Sequence, residues 1–153
     1  MRICFVCLGN VCRSPAAAAV FARKAADAGV AVTVDSAGTS RYHLGEPAHP
    51  NTLAEAAHRG IEIEHRARQF TSTDFDRFDL VVAMDEANRG ELSGLAPDDE
   101  ARRKIVLLCS YGPAGSGRQD VPDPWGLPPR AYVEMFDIVE SACDGLVAHV
   151  AAR

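Results

Sequence analysis

The chain has 153 residues, 47% of them apolar and 24% charged, with a formal net charge of −5. That length fits one domain spanning residues 1–153 with a core of its own, and the composition excludes a disordered chain. The acidic balance, with a pI of about 5.5, argues against a general nucleic-acid partner. No apolar run approaches the roughly 20 residues that a bilayer crossing needs, so no membrane partner is expected.

Arg2 precedes only a short apolar run that stops at Gly9 and Asn10, a poor match to a secretory leader. Five cysteines stand at positions 4, 7, 12, 109 and 143. An odd number without a leader points to a reducing, cytoplasmic setting. Cys4 and Cys7 are two residues apart but lie inside an apolar strand, and no second Cys/His pair answers them. Neither a metal nor a cofactor is expected.

In chain order, Arg2 to Val6 reads as a strand buried on both faces, because its apolar run does not alternate. Ser14 and Pro15 open a helix, with serine as the cap, and Gly29 closes it. Val30 to Val34 reads as a second strand, and residues 35–50 as turns broken by Gly38, Gly45, Pro47 and Pro50. Asn51 to Arg59 is helical and ends at Gly60. Phe75 to Phe78 is ambiguous between classes. Leu80 to Met84 is a buried strand, Asp85 to Leu92 a short helix, and Lys104 to Cys109 a fourth strand. Asp85, Glu86 and the acidic run Asp98 to Glu100 read as solvated helix ends. Residues 110–129, rich in glycine and proline, form a long loop of the kind that usually carries function. From Arg130 to Ala152, Val133, Phe136, Val139, Cys143, Leu146 and Val150 recur at helical spacing. Alternating strands and helices predict an α/β fold with a parallel sheet, whose ligands bind beyond the carboxyl ends of the strands.

The loop after the first strand reads Cys7-Leu8-Gly9-Asn10-Val11-Cys12-Arg13-Ser14. Such a loop turns successive main-chain N–H groups inward, and the helix that follows adds its positive end, so residues 8–14 form an anion cradle. Gly9 and Asn10 tolerate the left-handed turn required. Arg13 closes the ring with a fork matched to two phosphate oxygens. The same environment favours the thiolate of a cysteine at its base, which makes Cys7 a nucleophile. No Gly-Lys-Ser/Thr sequence occurs, so this is not a nucleotide loop.

Phosphoryl transfer from an oxygen leaving group also needs a proton donor. In Asp120-Val121-Pro122-Asp123-Pro124-Trp125, two prolines restrict the backbone around Asp123 and Trp125 adds an aromatic wall. Asp123 is therefore the candidate acid, kept protonated by neighbouring negative charge. Asp120 is the rival and reads better as a turn or supporting residue.

These motifs, together with DSAGTS at 35–40, HRARQ at 65–69 and AMD at 83–85, resemble the low-molecular-weight protein tyrosine phosphatases along nearly the whole chain. The resemblance implies a four-stranded parallel sheet with helices on both faces. It implies metal-free hydrolysis of phosphotyrosine in proteins through a phosphocysteine, releasing inorganic phosphate, by a monomer or weak dimer. By position, Cys7 is the nucleophile, Arg13 binds the phosphoryl group, and Asp123 is the general acid and then base. Asn10, Ser14, Ser36 and His65 match the polar network around the loop. Leu8, Tyr42 and Trp125 match the walls of the substrate slot, and Cys12 matches the partner that traps oxidised Cys7 as a disulfide. Many relatives carry a second aromatic residue where Gly126 stands, so one wall is thinner here.

Three other readings compete. An arsenate reductase on this scaffold needs two relay cysteines after the third strand, and residues 85–103 hold none. A phosphoarginine phosphatase branch tends to place threonine at the position of Val11. A non-catalytic phosphate-binding or redox-sensing module would use the loop and the Cys7/Cys12 pair but would have no need of Asp123.

Overall fold

The computed structural model describes all 153 residues. Strand β1 (Arg2–Cys7) lies at the centre, between β2 (Thr33–Gly38) and β3 (Leu80–Ala83), and β4 (Ile105–Leu107) extends the sheet beyond β3. Every pairing is parallel. The helices are α1 (Arg13–Asp27), α2 (Pro50–His58), α3 (Glu86–Leu95), α4 (Asp99–Arg103) and α5 (Pro129–Ala151).

The unbroken apolar runs of β1 and β3 follow from burial on both sides of the sheet. Ile3, Phe5, Leu80 and Val82 face one core with Val20 and Phe21 of α1 and Phe136, Val139 and Leu146 of α5. Cys4, Val6, Val81 and Ala83 face a second core with Phe70, Phe75, Phe78, Leu92 of α3 and Ala101 of α4. The helices thus cover both faces, as expected. All five cysteines are buried and free. No helix is long and apolar enough to cross a membrane.

Several local expectations are corrected. β2 begins three residues later than the Val30–Val34 assignment and runs through Asp35-Ser36-Ala37-Gly38, which read as turn residues. Their side chains find distant partners: Asp35 pairs with Arg68 at 3.1 Å while its Oδ1 also accepts the Ser36 N–H at 2.8 Å, and Ser36 accepts from Asn10. Helix α1 starts at Arg13, with Cys12 at the cap position and no side-chain cap, so Ser14 is not the cap. β4 is only Ile105–Leu107 and passes into a 3-10 turn at Leu108–Tyr111. The ambiguous stretch contributes to another 3-10 turn, Ser72–Asp76. The acidic run Asp98 to Glu100 opens α4, with the Asp98 carboxylate capping Ala101 N–H at 2.8 Å. On α5, Val133 points outward, and Tyr132 and Met135 take core positions that the sequence pattern did not single out.

Candidate active site

The loop after β1 leaves the sheet where neighbouring strands diverge in chain order, β2 to one side and β3 to the other. Such a switch point opens a crevice at the carboxyl end of the strands. Asn10 has φ of 58°, and no other residue except glycine has a positive value. That conformation costs an L-residue about 1–2 kcal/mol, and the fully buried side chain is held from every direction. Its Nδ2 donates to Ser14 Oγ at 2.8 Å and Ser36 Oγ at 3.0 Å. Its Oδ1 accepts the Arg68 N–H at 3.0 Å. Its carbonyl accepts from His65 Nε2 at 2.6 Å, which places a proton on that nitrogen. Burial lowers the His65 pKa, so the ring makes this bond in its neutral form. Glycine is obligatory at 38, where a Cβ would stand 2.8 Å from the Leu8 carbonyl oxygen.

Cys7 closes β1 with its sulfur at the base of this loop. Sγ accepts the Asn10 N–H at 3.3 Å and lies 3.0 Å from Ser14 Oγ. Because the Ser14 oxygen already accepts from Asn10, its own proton can point to the sulfur. The other acceptor in reach, the Ala37 carbonyl, is farther at 3.4 Å. Two donors aimed at one sulfur stabilise negative charge on it.

Arg13 is buried. Its Nη1 donates to Asp85 Oδ2 at 2.6 Å and to the Val121 carbonyl at 3.0 Å. Burial alone would lower its pKa, but Cys7, Asp85 and Asp123 outweigh that and raise it, so the guanidinium stays charged. Asp85 is therefore more than the solvated helix end that the sequence suggested. Its Oδ1 caps α3 at Asn88 N–H, 2.7 Å away, while Oδ2 orients the arginine.

Asp123 lies across the cleft from Cys7, with Oδ2 3.7 Å from Arg13 Nη2 and Oδ1 accepting the Trp125 N–H at 3.1 Å. The rival Asp120 is occupied elsewhere, accepting the Glu86 N–H at 2.9 Å. A cleft of about 240 Å³ is lined by Cys7, Leu8, Gly9, Val11, Cys12, Arg13, Tyr42, His43, Asp123 and Trp125. The sequence-derived nucleophile, arginine, acid and three wall residues all meet there. Asn10, Ser14, Ser36 and His65 stand behind the loop and support it. Trp125 is 52% exposed and Tyr42 76%, so the walls stand open to solvent.

Two histidines that pack on Trp125 were missed by sequence reasoning, and only His43 lines the cleft itself. His43 packs on Trp125 with ring centroids 4.7 Å apart, and its Nδ1 lies 2.6 Å from Glu46 Oε2. His49 touches Trp125 from another direction at 5.3 Å. The only signal available for His49 was its place before Pro50, where a helix cap belongs. Cys12 lies 3.7 Å from the Tyr132 hydroxyl, and burial pushes its thiol pKa up to about 11. No group of three or more His, Cys, Asp or Glu side chains could hold a metal ion.

A family model described as low molecular weight phosphotyrosine protein phosphatase matches residues 2–153. A low molecular weight protein-tyrosine-phosphatase of Streptomyces coelicolor is 47% identical over 152 residues, covering 97% of this chain and 93% of that one. A protein tyrosine phosphatase of Entamoeba histolytica, solved with Hepes in its active site, superposes with a TM-score of 0.95 at 33% identity, covering 99% and 97% of the two chains. The YwlE arginine phosphatase, solved with a phosphorylated active-site serine, superposes with a TM-score of 0.89 at 28% identity, covering 99% and 96%. Relatives bearing the protein-tyrosine-phosphatase name are hydrolases.

Proposed function

The chain belongs to the low molecular weight phosphotyrosine protein phosphatase family, and from that premise and the loop geometry we propose that it hydrolyses phosphotyrosine in proteins through a phosphocysteine. The observation that carries the reading is the meeting of Cys7, Arg13 and Asp123 on one aromatic-walled cleft. Residues 1–153 act as one catalytic domain, in the cytoplasm and without a metal.

In the first step the Cys7 thiolate attacks phosphorus opposite the tyrosyl oxygen. The S–P bond forms as the P–O bond breaks, and Asp123 gives its proton to the departing phenolic oxygen. The guanidinium of Arg13 and the N–H groups of the loop hold the equatorial oxygens, where charge is spread in the transition state. In the second step the Asp123 carboxylate takes a proton from water, the resulting oxygen attacks phosphorus, and the S–P bond breaks. Inorganic phosphate and the Cys7 thiolate are released. Asn10 and His65 fix the loop before substrate arrives, so little reorganisation is left for the reaction itself.

Leu8, Tyr42 and Trp125 suit a flat ring entering edge-on between apolar walls. Val11 contributes an apolar side chain to the same cleft, which favours an aryl group over a guanidinium. Cys12, buried beside the loop, serves as the partner that captures oxidised Cys7.

Asp123→Asn tests the mechanism. Loss of a general acid costs about 100- to 10,000-fold, and kcat/KM, which reports the step that releases the aryl group and not the later attack by water, should fall steeply for phenyl phosphate and little for p-nitrophenyl phosphate, whose leaving group needs no proton. An equal fall in kcat/KM for both substrates would remove Asp123 as the acid.

A further inference from the structure

We propose that His49 is a positioning residue for this hydrolysis: its ring clamps Trp125, and through it the Asp123 carboxyl, over the phosphate loop. The inference rests on Asp123 being the acid. His49 stands at the cap position of α2, with φ −56° and ψ 141°, and its Nδ1 accepts the Asn51 N–H at 3.0 Å. Serine, threonine, aspartate or asparagine usually fills such a place. An imidazole can cap only through a lone pair, so the ring is neutral when it does so.

The ring brings what a small cap could not. It meets Trp125 edge-on with centroids 5.3 Å apart and stacks on Tyr132 at 5.1 Å with an interplanar angle of 24°. Its main-chain N–H donates to the Val11 carbonyl at 2.8 Å, which ties it to the phosphate loop. Trp125 in turn donates its main-chain N–H to Asp123 Oδ1. One residue thereby joins the loop, α5 and the acid segment.

The groups around the clamp are His43 with Glu46 on another side of Trp125, Tyr132 and Cys12 toward α5, and Asp123 in the cleft. Burial, then His43, lower the His49 pKa and keep the ring neutral. Protonation would turn Nδ1 from acceptor to donor and set a positive charge at a helix N-terminus, where it is unfavourable.

Trp125 is the only tryptophan, so its fluorescence reads the clamp directly. His49→Asn keeps a cap and removes the ring; His49→Phe keeps a ring and removes the cap. In His49→Asn, kcat/KM for phenyl phosphate should fall about tenfold while kcat/KM for p-nitrophenyl phosphate holds, a part of the full general-acid effect. His49→Phe should restore the ratio of the two rates. With His43→Gln introduced into both chains to silence the other ring on Trp125, emission should change on acidification below the ordinary histidine value of about 6.5 where His49 is kept, and His49→Asn should lose that change. Wild-type leaving-group dependence together with unchanged emission in His49→Asn would overturn the proposal. If the wild type hydrolysed neither ester, the proposed function would fail, and an emission profile shared by the two His43→Gln chains would separately refute the clamp.

Discussion

Arg13 Nη1 lies 2.6 Å from Asp85 Oδ2, and this contact between residues 72 apart in sequence aims the guanidinium at the floor of the cleft. In the proposed reaction the pair matters because two phosphoryl oxygens must meet two nitrogens of a planar fork.

Asp85→Asn tests this role. Its Oδ1 can still cap Asn88, but its amide N–H then faces Arg13 Nη1, so the buried guanidinium loses its acceptor and its counter-charge. A misplacement on the scale of 1 Å costs about 100-fold, and kcat/KM should fall by about 10- to 100-fold, with Tm lowered as well. Steady-state kinetics beside thermal melts check this. A variant with unimpaired kinetics would show that Val121 and the loop suffice to aim Arg13.

The first half of that pair was legible in the sequence and the second was not. A Gly-Asn turn between an apolar strand and a helix start identifies the loop, and Arg13 belongs to it by position. Asp85 carries the local signature of an ordinary helix cap, which it also is, and nothing nearby announces a partner across the sheet. β2 was placed too early for a related reason. Asp35, Ser36 and Gly38 favour turns locally, and only Arg68, Asn10 and the Leu8 carbonyl, all distant in sequence, explain why they lie in a strand. Trp125 was legible as a wall, whereas the histidines that hold it were not, since both contacts are tertiary.

His65 gives the fold a pH dependence. Burial lowers its pKa in the folded protein, so the unfolded chain binds the proton more readily. Stability is therefore complete above the ordinary histidine value of about 6.5 and declines as pH falls through it. Urea midpoints at pH 8 and pH 5.5 should show a larger drop for the wild type than for His65→Gln, which keeps an N–H donor for Asn10. Equal drops would mean that His65 does not contribute.

Two helical glycines should respond to alanine with opposite signs. A Cβ on Gly94 of α3 meets nothing within 4 Å, so Gly94→Ala should stabilise by about 0.5–1 kcal/mol through helix propensity. A Cβ on Gly145 of α5 would overlap the Tyr111 carbonyl oxygen. That overlap outweighs propensity, and Gly145→Ala should destabilise by about 3 kcal/mol. Chemical denaturation of both variants decides it; a stabilised Gly145→Ala would show that the turn at Tyr111 yields freely.

Peroxide should inactivate the enzyme reversibly. It oxidises the Cys7 thiolate to a sulfenate, and the Cys12 sulfur then displaces oxygen to form a disulfide, with the oxygen leaving as water. Cys12 is held as a thiol, its pKa pushed up to about 11 by burial, so closure should accelerate toward high pH. In Cys12→Ser, inactivation should become irreversible as Cys7 oxidises further. Full recovery of that variant by thiol reductant would contradict the pairing.

The decisive measurement is phosphate release from phosphotyrosine, phosphoserine and phosphoarginine peptides in chelator, for wild type and Cys7→Ser. The wild type should release phosphate from phosphotyrosine peptides and little from the other two, and Cys7→Ser should release none. Faster release from phosphoarginine would contradict the substrate reading, and the absence of release from all three by folded, reduced protein would contradict catalysis itself.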